Sequence, residues 1–336
     1  MNAFHCKQVL NRQTNNKCTL VVSVSVLSSI VLSLSASANN SANQSANQSA
    51  NNDAKYTLSG SAYVGVRHDS NVSVSELDTN TALSDNALQT EGKLQLKLAP
   101  TKKWTSTFSI SRADTHYNNL DDFDLGLTTY SVQTDYAFEI AKLGAHYYHA
   151  DAHLGGEGFL TYQQQGVSAG KQLGKQAYLR VSADNIDKQF DVAKGRDSEA
   201  NALRSDAFYF FDTSDFIQLA LKYQKEDAVD NAFDFTSVGA DVAYTHPLSM
   251  LNKPLSLSFT YTFDSRSYSR ASQSDLLRED GRRREDDRHR VEVKMNYEVH
   301  KHVKLSFSTE YGDYASTFTG ADYEETIAEL GVNVHF

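Results

Sequence analysis

The sequence predicts an all-β fold, an up-and-down antiparallel transmembrane β-barrel of about 14 strands. Three observations predict it. From Tyr56 to Phe336 the apolar residues recur with a period of two. Short and long connections alternate between these runs. Each run opposes an apolar face to a polar one, and 336 residues contain only three prolines, as strands that must donate their backbone hydrogen bonds require.

Composition excludes the main competitors. The mean hydropathy of −0.50 excludes a bundle of membrane helices, each of which needs ~20 mostly apolar residues. A net charge of −10 argues against a nucleic-acid partner, which calls for a basic patch. Two soluble domains of ~150 residues each would suit the length but leave the 18 Tyr and 17 Phe unexplained.

Residues 1–38 read as a signal peptide. Lys7, Arg12 and Lys17 form its positive region, Cys18 to Leu34 is uncharged and rich in Leu, Val and Ile, and Ala36-Ser37-Ala38 offers small residues for cleavage after Ala38. Both cysteines, Cys6 and Cys18, leave with it, so no disulfide framework is expected. The mature chain carries 29 basic against 42 acidic residues, a net charge of −13. Residues 39–55 repeat Ser-Ala-Asn-Gln and have no apolar face, which predicts a disordered tether.

The barrel then occupies 56–336. Strands are predicted over 56–67, 87–98, 104–113, 125–136, 142–150, 160–172, 177–185, 204–211, 216–225, 235–245, 255–264, 288–299, 303–312 and 323–336. In the later ones the alternation is plainest. Leu255, Leu257, Phe259, Tyr261 and Phe263 alternate with serines and threonines. Val291, Val293, Met295, Tyr297 and Val299 alternate with Glu292, Lys294, Asn296 and Glu298. Val303, Leu305, Phe307, Thr309 and Tyr311 follow the same rule. Over 160–172 the run Gln163-Gln164-Gln165 blurs the faces, and Phe208-Tyr209-Phe210-Phe211 is aromatic on both sides.

Connections near 99–103, 137–141, 173–176, 212–215, 246–254 and 300–302 are mostly short. Those near 68–86, 114–124, 151–159, 186–203, 226–234, 265–287 and 313–322 are mostly longer and more polar. Short periplasmic turns and longer external loops are the pattern of outer-membrane barrels. A soluble barrel of this strand number would need an apolar filling, whereas here the second face carries Ser, Thr, Gln, Glu, Lys and Arg. That face suits a watery lumen, the apolar face suits lipid, and no plug domain is legible. Trp104, Phe108, Tyr136, Tyr223, Tyr244, Phe259, Tyr261, Phe263, Tyr297, Phe307, Tyr311, Tyr323 and Phe336 are expected on outward faces or near span ends, where aromatic girdles form. Outer-membrane lipid and lipopolysaccharide are the expected surroundings.

The last run, with Leu330, Val332, Val334 and Phe336 at alternate positions, resembles the terminal strand of Gram-negative outer-membrane barrels. The resemblance implies that these four residues are the assembly signal read by the barrel-assembly machinery. The segment Tyr63-Val64-Gly65-Val66-Arg67-His68-Asp69-Ser70-Asn71-Val72 resembles the Gly-Tyr-x-x-Asp-Ser-Asn-Val opening of barrels in the surface lipoprotein assembly modifier family. That resemblance implies a fourteen-stranded barrel over 56–336 and an export or surface-display role. The family's periplasmic tetratricopeptide domain has no counterpart in the tether, so no client-binding residue is carried over.

Candidate chemistry is sparse. His149, Asp151 and His153 share one strand face as weak metal-ligand candidates, without the further ligands a site needs. Arg180, Lys222, Asp241, Arg288, Arg290, Glu292, Lys294, Glu310, Glu325 and Glu329 are candidate lumen residues. Arg278 to Arg290 holds six arginines and five acids. It reads either as a loop that folds inward to set a constriction or grips lipopolysaccharide phosphates or, more simply, as a solvated, self-paired loop, except that Arg288 and Arg290 continue the inward face of Glu292, Lys294 and Asn296. Asp69, Asn71, Asp78, Asn80 and Asp85 are acidic and amide-rich without the spacing of a calcium loop. No nucleophile–base set, phosphate loop or dinucleotide fingerprint occurs, so neither enzyme activity nor a cofactor is expected. The favoured role is a porin-like pore for small polar solutes. An export accessory and a structural or adhesive barrel are the alternatives.

Overall fold

The computed structural model describes residues 56–212, 214–269 and 283–336. The predicted signal peptide and tether, and Arg278 to Arg282, lie outside the described residues.

Period-two patterning builds a closed antiparallel barrel of fourteen strands. In chain order the strands are β1 (Tyr56–Asp69), β2 (Ser73–Val74), β3 (Thr79–Asn80), β4 (Asp85–Leu98), β5 (Trp104–Tyr117), β6 (Leu125–Ala137), β7 (Lys142–Leu154), β8 (Glu157–Leu173), β9 (Ala177–Phe190), β10 (Ser198–Phe210), β11 (Phe216–Ala228), β12 (Phe235–Met250), β13 (Lys253–Tyr268), β14 (Glu285–His300), β15 (Val303–Ser316) and β16 (Tyr323–His335). β2 and β3 form a separate two-stranded sheet inside the first long connection. All other strands pair with their sequence neighbours, and β1 closes on β16 from Ser61↔His335 to Asp69↔Ile327. Closure matters because an open edge in hydrocarbon would leave unsatisfied backbone groups costing several kcal/mol each.

Parity sorts the side chains. Val64, Val66, Leu94, Phe108, Val167, Leu221, Val238 and Leu330 point outward and are exposed. In water such a belt would far exceed the apolar patch a monomer normally shows, and a hydrocarbon surrounding removes that cost. Odd positions of β1 and even positions of β14 point into the lumen, where Arg67, Glu329, Arg288 and Arg290 lie. The lumen face is tailored locally. Tyr63 lays its ring across Gly65 and Gly331, positions where a Cβ would collide with it, and its hydroxyl donates to Glu329.

The fourteen barrel strands are 13 to 17 residues long, more than the ~9–11 that span hydrocarbon. Most of the excess lies at the long-loop end, although β12 and β13 also run past the expected 245 and 255 at the short-turn end and meet at a two-residue turn, Leu251-Asn252. β5 runs to Tyr117 where alternation stops near 113, β9 to Phe190 where it stops near 185, and β10 begins at Ser198 rather than 204. The reason is physical. Beyond the membrane both faces are wet, so Asp114, Asp151, Asp187 and Asp227 occupy outward positions and the apolar alternation disappears while the ladder continues. The expected loop 151–159 is accordingly a two-residue turn, Gly155-Gly156, with φ of +57° and +83°. Positive φ at both positions is what a tight hairpin turn demands. Of the aromatics expected outside, Tyr323 differs. It lies at the long-loop end on the lumen parity, stacked on Tyr314 with ring centroids 4.5 Å apart.

Candidate functional site

The first long connection, 70–84, does not extend into solvent. It folds into the barrel mouth, where Ser73, Glu76 and Asp78 engage side chains of the inner wall. The turn begins at Asp69, whose carboxylate accepts from the Asn71 amide N–H (3.1 Å) and the Tyr117 hydroxyl (3.1 Å). Val72 N–H donates to Leu83 (2.9 Å) and Thr81 N–H to Val72 (3.0 Å), which closes the β2–β3 hairpin at its base. No plug domain was legible in the sequence, yet this segment stands where a plug would.

One side of the loop is apolar. Val72 and Val74 are fully buried against Phe123, Leu125, Phe159, Leu160 and Phe190, with Leu77 at the margin. Burying a valine side chain is worth about 1.5–3 kcal/mol, so these two residues hold the loop base in the barrel wall. A second apolar group, Leu127, Tyr148, Ala150, Tyr162, Ile186 and Ala200, continues along the same wall.

The other side is ionic and centres on Asp78. Arg284 donates to both carboxylate oxygens (2.8 and 2.7 Å), and Arg196 donates to Oδ2 (2.8 Å). Arg288 stands at 3.8 Å. Arg196 also donates to the carbonyls of Glu76 (3.0 Å) and Leu77 (3.2 Å), so one guanidinium fixes three acceptors of the loop. Burial alone would raise the Asp78 carboxyl, but the Arg284 hydrogen bonds and the charges of Arg196, Arg284 and Arg288 outweigh it and hold the group well below the usual carboxylate range. Burial would lower Arg284, and its bonds to Asp78 and Asp286 instead raise it above the usual arginine value. The backbone bends to deliver this carboxylate, for Asp78 and Ala82 sit at φ of 54° and 53°. The left-handed region costs a non-glycine residue about 1–2 kcal/mol, less for Asp, and the latch offsets it.

Two further ties seat the loop. Glu76 lies 3.8 Å from Lys188, which also pairs with Glu226 at 3.0 Å. Ser73 Oγ donates to Glu325 (3.1 Å), and Asn80 donates to the Gly320 carbonyl (3.1 Å). The loop therefore leaves β1, reaches the β9–β10 side through Arg196 and Lys188, and reaches the β13–β14 side through Arg284.

Register sets all ten lumen candidates on the inner face, and it distributes them. Lys222 (2.8 Å) and Arg204 (3.1 Å) share Asp241. Arg180 lies opposite Asp206, which Arg204 engages at 2.8 Å. Glu292 lies opposite Glu310, a like-charge pair flanked by Lys294 and by Arg290, 3.9 Å from Glu310. Arg288 and Glu325 join the loop network, and Glu329 joins Tyr63. Within the described part of Arg278 to Arg290, Arg283, Glu285 and Asp287 are exposed, as the solvated reading expects, whereas Arg284 is largely shielded from solvent and bonds Asp78 as well as Asp286 of its own segment.

His149, Asp151 and His153 do share a face, but it is the outward one of β7, still extended through Leu154. His149 bonds Asp151 at 3.0 Å, and among the described residues no group of three metal-binding side chains is assembled. Leu330, Val332 and Val334 pair with β15, and Phe336 exchanges backbone hydrogen bonds with Gly60 (3.0 and 3.2 Å).

The sequence pattern does not single out Glu76, Lys188, Arg196 or Arg204, and it shows Asp78 only as one member of an acidic, amide-rich stretch. One signal reaches Arg284: the inward parity of Glu292, Arg290 and Arg288 extends back to it. Nothing local marks Asp78, whose partner lies 206 residues away.

No protein-family model matches the chain, and no curated protein matches it. Solved structures do. Outer-membrane expressed OmpT of Vibrio cholerae is similar over 84% of this chain and 97% of its own, with TM-score 0.50 and 10% identity. The anion-selective porin from Comamonas acidovorans is similar over 84% of this chain and 99% of its own, with TM-score 0.49 and 10% identity. The chain has the fold of outer-membrane β-barrels.

Proposed function

We propose that this barrel is an outer-membrane pore for small polar solutes in a Gram-negative bacterium, not an enzyme, and that the loop 70–84 narrows its external mouth. The observation that carries the reading is the division of faces: charged and hydroxyl side chains line the lumen while apolar ones form the exterior belt. Mixed charge on the inner wall supports moderate ion selectivity rather than a strict filter. The apolar seat and the Asp78 latch support a narrow, solute-size-limiting entrance rather than a wide one.

Purified full-length protein in planar bilayers tests the reading. Discrete, ohmic conductance steps are expected. A preparation that inserts and remains heat-modifiable but carries no current defeats it.

A further inference from the structure

The loop latch is more cationic than a structural ion pair requires. Among the described residues, five cations surround the loop tip: Lys188, Arg196, Arg266, Arg284 and Arg288. Glu226 neutralises Lys188 at 3.0 Å, Asp264 neutralises Arg266 at 2.9 Å, and Asp286, bound to both Arg284 and Arg288, neutralises one charge of that pair. Two positive charges remain on the wall. The loop answers them with two carboxylates: Asp78 in the fork of Arg284, and Glu76 toward Lys188 at 3.8 Å.

We propose that this wall is a binding site for small dicarboxylates, and that Glu76 and Asp78 occupy it as an internal substitute for the solute. Three features carry the proposal. The first is geometry. A guanidinium fork on a carboxylate is the pattern by which arginine recognises a free carboxylate, and here it is formed in a buried setting with Asp78 only 3% exposed. The second is charge number. The wall's excess of two matches a dianion and not a monocarboxylate. The third is that the substitute is removable. The loop base is held by Val72 and Val74, while the tip is held by the ionic contacts and by three hydrogen bonds to backbone carbonyls, from Arg196 to Glu76 and Leu77 and from Asn80 to Gly320, against left-handed backbone at Asp78 and Ala82. A solute that supplies the carboxylates competes with the Glu76 and Asp78 side chains and not with the apolar base, and its differential affinity shifts the loop toward the lifted state. In physiological terms the proposal rests on the pore reading, since it names the solute class that would enter; the binding itself does not require conduction.

The test is calorimetric titration of the full-length protein in detergent with succinate, with acetate and inorganic phosphate as comparison probes. Removing the internal substitute with Glu76→Gln and Asp78→Asn together should tighten succinate binding at least tenfold over the unaltered protein. Adding Arg284→Gln to that double variant should abolish the binding. An affinity no higher than that of the unaltered protein, equal affinity for acetate, or binding of phosphate without succinate would each overturn the proposal. Should the double variant fail to fold, the unaltered protein still decides. Succinate, and not acetate, should accelerate protease cleavage within 70–84, and unchanged cleavage would overturn the proposal. Succinate binding without conductance in any variant would remove the pore and leave the site, and conductance without succinate binding would do the reverse.

Discussion

Asp78 and Arg284, 206 residues apart in the chain, meet through two hydrogen bonds of 2.8 and 2.7 Å across the mouth of the barrel. The side chains are 3% and 12% exposed, so solvent screens the pair weakly.

Arg284→Gln removes the fork and leaves Asp78 with Arg196 and a distant Arg288. Breaking one partner out of a buried pair costs about 3–5 kcal/mol, and here the cost falls on loop seating rather than on the barrel sheet. Limited proteolysis should show cleavage within 70–84 in the variant under conditions that leave the unaltered protein intact, with the same unfolding midpoint for the barrel.

Val72→Asp attacks the other end of the loop. It would bury a carboxylate among Phe123, Leu125, Phe159, Leu160 and Phe190. That charge has no partner there, so the loop base should leave the wall. The milder Val72→Ala should cost on the order of 2 kcal/mol of seating and give intermediate cleavage rates. Equal cleavage in all three proteins would contradict the packing described.

The pH response has a definite sign. Asp78 has its carboxyl depressed in the folded protein, so its contribution is fully present above the unfolded carboxylate pKa of ~3.9 and is lost only as pH falls through the lower folded value. The groups facing it are Arg196, Arg284 and Arg288, with Tyr268 and Asp286 behind them, and no histidine is among them. Loop protection against protease should therefore hold from neutral pH down to about pH 4. Loss of protection centred at about pH 6, where histidine titrates, would contradict the latch.

The two faces predict opposite tolerance. Leu257 is outward on β13, and Leu257→Arg should destabilise the barrel by about 2–4 kcal/mol near the bilayer midplane. Ser308 is inward on β15, opposite Lys294 and Glu329, and Ser308→Lys should change stability by no more than about 0.5 kcal/mol. Urea-dependent folding into lipid vesicles measures both, and equal costs would invert the face assignment.

How much was legible follows from which solvent each residue meets. Between lipid and lumen the two faces differ, so Leu257 alternates with Ser258 and the strand announces itself. Past the membrane both faces meet water, and Asp187 outside and Lys188 inside carry no contrast although β9 continues through them. That is why the external strand ends read as loops. The lumen parity of Arg288 and Arg290 was legible, because it extends an alternating run. The latch was not. Asp78 sits in a short irregular segment whose direction is set by Val72, Val74 and arginines from distant strands, and no periodicity records such a meeting.

The measurement that tests the account most directly is single-channel recording of the unaltered protein beside Arg284→Gln in the same planar bilayers. A pore narrowed by a latched loop predicts small conductance steps in the first and larger steps in the second, with both proteins equally folded. Absence of current in both, or identical steps in both, would contradict it.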